Sequence, residues 1–349
     1  MSTMTPVPAG PFQLKRGADG PPAGLEVLAR ELDKAPLGAV LSKANRVTER
    51  KGTRGTGAFG SMRPRPADWY TFNAADNGAV AWYPQGLTSA ADAGVSGNVF
   101  VVSWYFNPDN AQGPERGIRL SFMDAAALRY RHVLLVAVRP DGGIAPINIH
   151  AGGVAWYGDL LYVADTVKGF RVFDVRHIYE VNGTDEETIG RRKDGLYDAF
   201  GYRYVMPQVG SWTVTAAGAV FSFAAVDRTG DPDLLISGEF VSDPARTGRV
   251  ARWPLEADGT LRADANGVAA AMDAYDLPAQ KIQGALSRGR TWYLSQSAGS
   301  QRNGTLIVAG DKLVRRQYPI GPEDLTLVGG RVWSVSEFPG RRVVYAVPL

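Results

Sequence analysis

The chain has 349 residues, a formal net charge of +3 and no cysteine. That length can bury the core of one large domain or two smaller ones. Lacking cysteine, it can form no disulfide, no thiolate metal site and no cysteine nucleophile, and no apolar run approaches the roughly 18 residues of a membrane-spanning helix. The charge is uneven: residues 1–66 carry eleven Lys/Arg against five Asp/Glu, so the remainder is slightly acidic. No cluster of basic residues interleaved with aromatics marks a nucleic-acid surface.

Residues 1–66 read as an N-terminal arm. Gly, Pro and Ala dominate residues 5–24. No basic segment followed by an apolar stretch opens the chain, which points to a cytoplasmic protein, or to a secreted one whose leader has been removed. "GLEVLARELDKAP" then places Leu25, Leu28, Ala29 and Leu32 on one helical face, ended by Pro36. "LGAVLSKANRVTER" predicts a second short helix, with Val40, Leu41, Ala44 and Val47 inward, before the linker "KGTRGTGAFGSMRPRPAD".

From residue 67 onward the pattern is short strands in a repeat. Five apolar strands each end in a small residue: Ser103, Ala164, Ser237, Ser295 and Ser336. After a loop of variable length a glycine opens the next strand: Gly117, Gly169, Gly248, Gly304 and Gly340. Tight turns at Gly158-Asp159, Gly289-Arg290 and Gly330-Arg331 join a preceding strand as hairpins do. "LRYRHVLLVAVR", "YRYVMPQ", "AAAMDAYDLP" and "KLVRRQYPI" supply fourth strands, and "DWYTFNA" near residue 68 can complete the last unit. The expected fold is therefore all-β: a five-bladed β-propeller over 67–349 with a short N-terminal helical arm, a six-bladed ring being the alternative.

The stretches "WYPQGLTSA", "VVSWY", "RHVLLV", "IHAGGVAWYGDLLYVADTVKGFRVFDVRHIYEV" and "GPEDLTLVGGRVWSVSE" resemble a group of actinobacterial, often secreted, uncharacterised β-propeller proteins. The likeness covers roughly residues 68–349 and implies the propeller fold with no agreed reaction. "YVAD…RVFDV" also resembles, more distantly, blades of strictosidine-synthase-like and lactonase propellers.

In such a ring the variable second-to-third loops and the starts of the first strands share one face, and variable loops on a rigid scaffold commonly carry function. The inner set on that face is Gln85, His150, Gln283, Glu323 and Asp324; the outer set is Trp104, Tyr105, Asp165, Glu239, Gln296 and Glu337, joined by Trp212. His150 is the candidate acid–base group, with Glu323 or Asp324 as its complementary acid. His132, in an outer strand, and His177 are expected at the surface. Gly152-Gly153 is expected to serve close packing near the axis, since no phosphate-binding or dinucleotide fingerprint is present. The three dispersed histidines make no zinc pattern, leaving Ca²⁺ on the acidic face as the metal alternative and no cofactor expected. The insertion at 180–202 reads as a solvated loop, with a partial cover as the alternative.

Two functions follow. One is a metal-independent enzyme of cyclase, lyase or isomerase type, as in specialised metabolism, acting on a small organic molecule in the central channel through His150, Glu323 and Asp324. The other is a binding module for a carbohydrate, peptide or protein, with Trp104, Tyr105 and Trp212 stacking on the ligand.

Overall fold

The computed structural model describes residues 3–17, 22–111, 113–216 and 218–349. It is mostly β. Four-stranded antiparallel meanders succeed one another along the chain. The first is Trp82–Ser89, Val99–Phe106, Ile118–Asp124 and Arg129–Val138. The second is Val154–Tyr157, Leu160–Asp165, Gly169–Asp174 and Tyr204–Val214. The third is Phe223–Asp227, Leu234–Gly238, Arg249–Pro254 and Asp273–Asp276. The fourth is Ile282–Arg288, Thr291–Gln296, Gly304–Ala309 and Leu313–Tyr318. The fifth, Pro322–Val328, Arg331–Ser336 and Val343–Pro348, takes its outermost strand, Asp68–Thr71, from the other end of the sequence.

The innermost strands close on themselves. Trp82–Ser89 packs against Val154–Tyr157 and Pro322–Val328; Phe223–Asp227 bridges Val154–Tyr157 to Ile282–Arg288, which returns to Pro322–Val328. Strands covered by neighbouring sheets on both faces need apolar residues at odd and even positions alike, which is why Val99–Phe106 and Leu160–Asp165 are buried almost throughout. Glycine permits the closest approach: a Cβ on Gly86 would stand 2.4 Å from Val154 N, and one on Gly153 2.1 Å from Ala224 N.

The N-terminal residues do not form a helical arm alone. Thr3 N–H donates to Gly310 O of the fourth meander. Thr5–Val7 pairs with Asp273–Asp276 of the third, and Leu14–Arg16 with Tyr204–Val214 of the second. Leu25 and Leu28 of the helix Gly24–Glu31 pack with Leu134 and Val136 of the first, and Arg46–Val47 pairs with its outer strand. Val47 is thus in a strand rather than on the second helix, which ends at Ser42. Ser61 reaches Asn303 of the fourth meander before the chain enters the fifth. The segment is a girdle around the outer edges.

The insertion at 180–202 is partly ordered on the same helix. Ile189–Arg191 pairs with Tyr197–Ala199, and Tyr197, Ala199 and Phe200 are buried with Leu25, Leu28 and Leu32. Among the described residues no helix is long and apolar enough to cross a membrane.

Candidate functional site

A cavity of about 650 Å³ opens where the innermost strands begin. Its lining includes Gln85, His150, Ser222, Glu239, Gln283 and Glu337, with Thr166, Phe240, Val241 and Arg246 towards the rim. Three inner strands shift register there: between Pro84 and Leu87, between Ile282 and Gly284, and between Pro322 and Leu325. A bulge inserts an unpaired residue and re-aims its side chain; the residues so released are Gln85, Gln283, Glu323 and Asp324.

The bulges also free backbone groups that need partners, and serines of the second strands supply them. Ser103 Oγ accepts from Gly86 N at 2.8 Å and donates to Ala151 O at 2.9 Å. Ser295 Oγ and Ser334 Oγ both donate to Glu323 O, at 2.7 and 3.1 Å. Ala151, next to His150, is a non-glycine residue at φ 50°, and its carbonyl is the one Ser103 holds.

Glu323 and Glu337 hydrogen-bond to each other through their carboxyl groups. Gln283 Nε2 donates to Glu323 Oε1 at 3.0 Å, and Gln85 Nε2 to Glu337 Oε2 at 3.3 Å. Burial raises both acids; for Glu323 the neighbouring Glu337 and Asp324 charges raise it further, well above the carboxylate range. Glu337 is pushed up to about 7, with Gln85, Glu323 and Arg342 partly offsetting its burial. Two adjoining carboxyls sharing one proton behave in this way. Arg342 is fully buried behind them and donates from Nε to Glu337 O at 2.8 Å.

His150 lines the cavity, exposed at its mouth, with its ring 4.1 Å from that of Tyr105. Desolvation lowers its pKa. Among the described residues no carboxylate hydrogen-bonds to it, so Glu323 and Asp324 are not its orienting partners. Asp324 is fully buried and points into the ring, accepting N–H bonds from Leu325 at 3.1 Å, Val154 at 3.2 Å and Ala224 at 3.4 Å. Its carboxylate joins the fifth meander to the second and third, and its assignment as a catalytic acid is corrected on that ground.

The outer set divides. Tyr105 and Glu337 stand at the axial site, and Glu239 lines the cavity but is neutralised by Arg249, whose Nη2 and Nε lie 2.7 and 3.0 Å from its carboxylate oxygens. Asp165 is buried against Arg171 Nε at 3.0 Å. Gln296 lines a neighbouring cavity instead. Trp104 is fully buried, donating Nε1–H to Ser121 Oγ at 2.8 Å and packed edge-on to Phe72, so it can stack on no ligand. Trp212 is covered by the girdle, with Arg16 over its ring 5.1 Å from the centroid. Trp104 is therefore corrected as a ligand-stacking residue, and Trp212 is not at the axial cavity but lines a separate one of about 330 Å³ with Arg16 and Tyr162.

Two further expectations change. His132 is buried, with Nε2 3.0 Å from Asp76 Oδ1 and Nδ1 2.9 Å from Ser121 Oγ. His177 is half-buried, its Nδ1 3.0 Å from Tyr179 Oη. Sequence reasoning missed Arg342, Thr166 and Ser222, which carry no pattern of their own. Among the described residues no group of three or more His, Asp or Glu is placed to hold a metal ion.

The chain matches no protein-family model and no curated protein. Among solved structures it is similar to a GH43_1 enzyme from Xanthomonas citri at 13% identity and TM-score 0.33, covering 94% of this chain and 93% of that one. The computationally designed Ika8 protein aligns at 12% identity and TM-score 0.25, over 74% of this chain and 69% of that one. The quinohemoprotein alcohol dehydrogenase from Comamonas testosteroni aligns at 11% identity and TM-score 0.26, over 75% and 47%. Scores this low carry no argument about chemistry, and the site is read from its own residues.

Proposed function

We propose that the meanders are the blades of a five-bladed β-propeller, and that its axial cavity performs acid–base chemistry on a small polar organic molecule. The closed circuit of inner strands and the completion of the fifth sheet by Asp68–Thr71 support the five-bladed reading. The observation that carries the chemistry is the opposite setting of two titratable groups in one cavity. Near neutral pH the Glu323–Glu337 pair keeps a proton while desolvation keeps His150 neutral. A protonated carboxyl and a neutral imidazole lining one cavity are an acid and a base available to one ligand.

In this reading His150 takes a proton from a substrate carbon or hydroxyl, and the carboxyl pair delivers one to a substrate oxygen. Gln283 and Gln85 hold the carboxyls in place, and Tyr105 fixes the imidazole plane. Proton removal at one atom and delivery at another is the currency of isomerases, lyases and cyclases.

The test is incubation of the protein with a small-molecule extract of the organism that makes it, followed by chromatography and mass spectrometry. Wild type should convert a compound into an isomer or a dehydrated product, and Glu337→Gln and His150→Ala should each slow that conversion by about 10²–10⁴-fold. A compound retained unchanged by all three proteins would replace the enzyme with the binding module. Wild-type conversion rates in both variants would remove these residues from the chemistry.

A further inference from the structure

The axial cavity has a neighbour. A second cavity of about 620 Å³ lies between the loops of the third and fourth meanders and is lined by Gln280, Lys281, Gln296, Ser297 and Arg302 among others. The two adjoin: Val241 lines the first and Ser242 the second, while Lys281 of the second lies two residues before Gln283 of the first. The chain outside the first 66 residues is net acidic, yet no Asp or Glu lines this second cavity.

Its two cations lack counter-ions. Among the described residues neither Lys281 nor Arg302 makes an ion pair, whereas Arg249 nearby is paired with Glu239. Lys281 also adopts a left-handed backbone, φ 58°. A non-glycine residue takes that conformation at a cost and keeps it only where the surroundings over-determine it. Here they do: Lys281 N–H donates to Val241 O at 2.8 Å, and Lys281 O accepts from Ser297 N at 3.0 Å. The strained residue clamps the loops that separate the two cavities.

The remaining polar groups suit an oxyanion attached to a hydroxyl-bearing body. The Ser242 and Ser297 hydroxyls can donate, and the Gln296 side-chain amide, held by one N–H donated to Gln280 O at 3.0 Å, keeps its second N–H and its carbonyl oxygen for a ligand. We propose that Lys281 and Arg302 bind the phosphate or carboxylate group of an elongated ligand whose uncharged polar end occupies the axial cavity. The part about the axial end rests on the function proposed above; the anion site stands on its own geometry.

The experiment separates the two. Full-length protein is titrated at low ionic strength, where screening is weakest, with inorganic phosphate in one arm and acetate in the other. The backbone amides of Lys281 and Ser297 and the Gln296 side chain are followed by NMR. Saturable shifts are expected, weakened about tenfold or more in a Lys281→Met/Arg302→Met double variant, as for loss of charge-assisted hydrogen bonds, and unchanged in Glu337→Gln. Saturation by phosphate alone assigns a phosphate end, and saturation by acetate as well admits a carboxylate. No saturable shift, or shifts indifferent to the double variant, overturns the anion site whatever the axial cavity does. Should a converted compound be found, the double variant should raise its KM at least about tenfold with kcat changed less than about twofold. An unchanged KM would detach the anion site from the ligand of the axial cavity and leave the acid–base reading intact.

Discussion

Glu337 and Asp76 are both carboxyls sunk in the protein, and Arg342 touches the backbone of each, donating to Glu337 O at 2.8 Å and to Asp76 O at 2.7 Å. Their environments drive them in opposite directions. Burial would push Asp76 up, but His132, Arg119 and Arg46 outweigh it and hold the carboxyl far below its ordinary range. Arg119 and Arg46 lie 3.1 and 3.0 Å from its oxygens, and Tyr130 Oη donates at 2.7 Å. Glu337 has another acid as its side-chain neighbour, and against its burial stand only one carboxamide, Gln85, the hydrogen bond with Glu323 and the Arg342 guanidinium. Desolvation alone does not decide ionisation; the sign of the partners does. The outer cluster is built to keep a charge, and the axial one to keep a proton.

Neutralising each carboxyl without changing its size tests that contrast most severely. Asp76→Asn leaves Arg119 buried with its main counter-charge gone, and removing one partner of a buried ion pair costs about 3–5 kcal/mol. Glu337→Gln replaces a group that is largely neutral already, so its stability at pH 6 should stay within about 1 kcal/mol of wild type. Urea denaturation of both variants checks this. Equal losses would mean that Glu337 is ionised in the folded protein.

The next effect lies in pH. The folded-state pKa of Glu337, about 7, exceeds its ordinary value of 4.5. The folded protein therefore binds more protons than the unfolded chain between these values, and stability falls as pH rises through that window, by on the order of 3 kcal/mol. Asp76 has the opposite sign: its contribution is present above its ordinary value of 3.8 and is lost as pH falls below it. His132, lowered to about 3 chiefly by burial and by Arg119, adds to the acid-side loss from about pH 6.5 downward. Denaturation midpoints at pH 5 and pH 8 should differ in wild type, and the difference should shrink in Glu337→Gln, the remainder belonging to buried acids such as Glu323. A wild type equally stable at both pH values would contradict the raised pKa.

The same contrast explains what was legible in the sequence. Gln85, Gln283 and Glu323 are polar breaks in apolar inner strands, and the register shifts at those points turn Gln85 and Gln283 to the cavity and Glu323 to the Gln283 amide. The small-residue column was legible in part: Ser103 and Ser295 hold backbone groups at the bulges, but in the fifth meander that role falls to Ser334 rather than Ser336, and Ala164 carries no hydroxyl. Asp324 looked identical to Glu323, yet its role is set by N–H groups of Val154 and Ala224, roughly one hundred residues or more away. His132 alternates like any outward-facing residue of its strand until Asp76, 56 residues earlier, is brought against it. Trp104 and Trp212 are aromatic for packing reasons that composition cannot separate from ligand stacking. The girdle was illegible because its strands are two or three residues long and their partners lie in three different meanders, so no local periodicity marks them.

The smallest expected effect concerns how finely the axial pair is set. Gln85 donates to Glu337 over 3.3 Å, a long contact, and also to Pro84 O at 3.0 Å, so its amide is divided between two acceptors. It nonetheless favours the ionised form of Glu337. Gln85→Leu should therefore move the Glu337 titration upward, by less than about one unit or ~1.4 kcal/mol, with little change in global stability. Infrared titration of the carboxyl C=O band, compared with Glu337→Gln to assign it, measures the shift. A downward shift would mean that Gln85 presents its carbonyl to the protonated Glu337 and favours its neutral form, reversing the donor and acceptor roles drawn above.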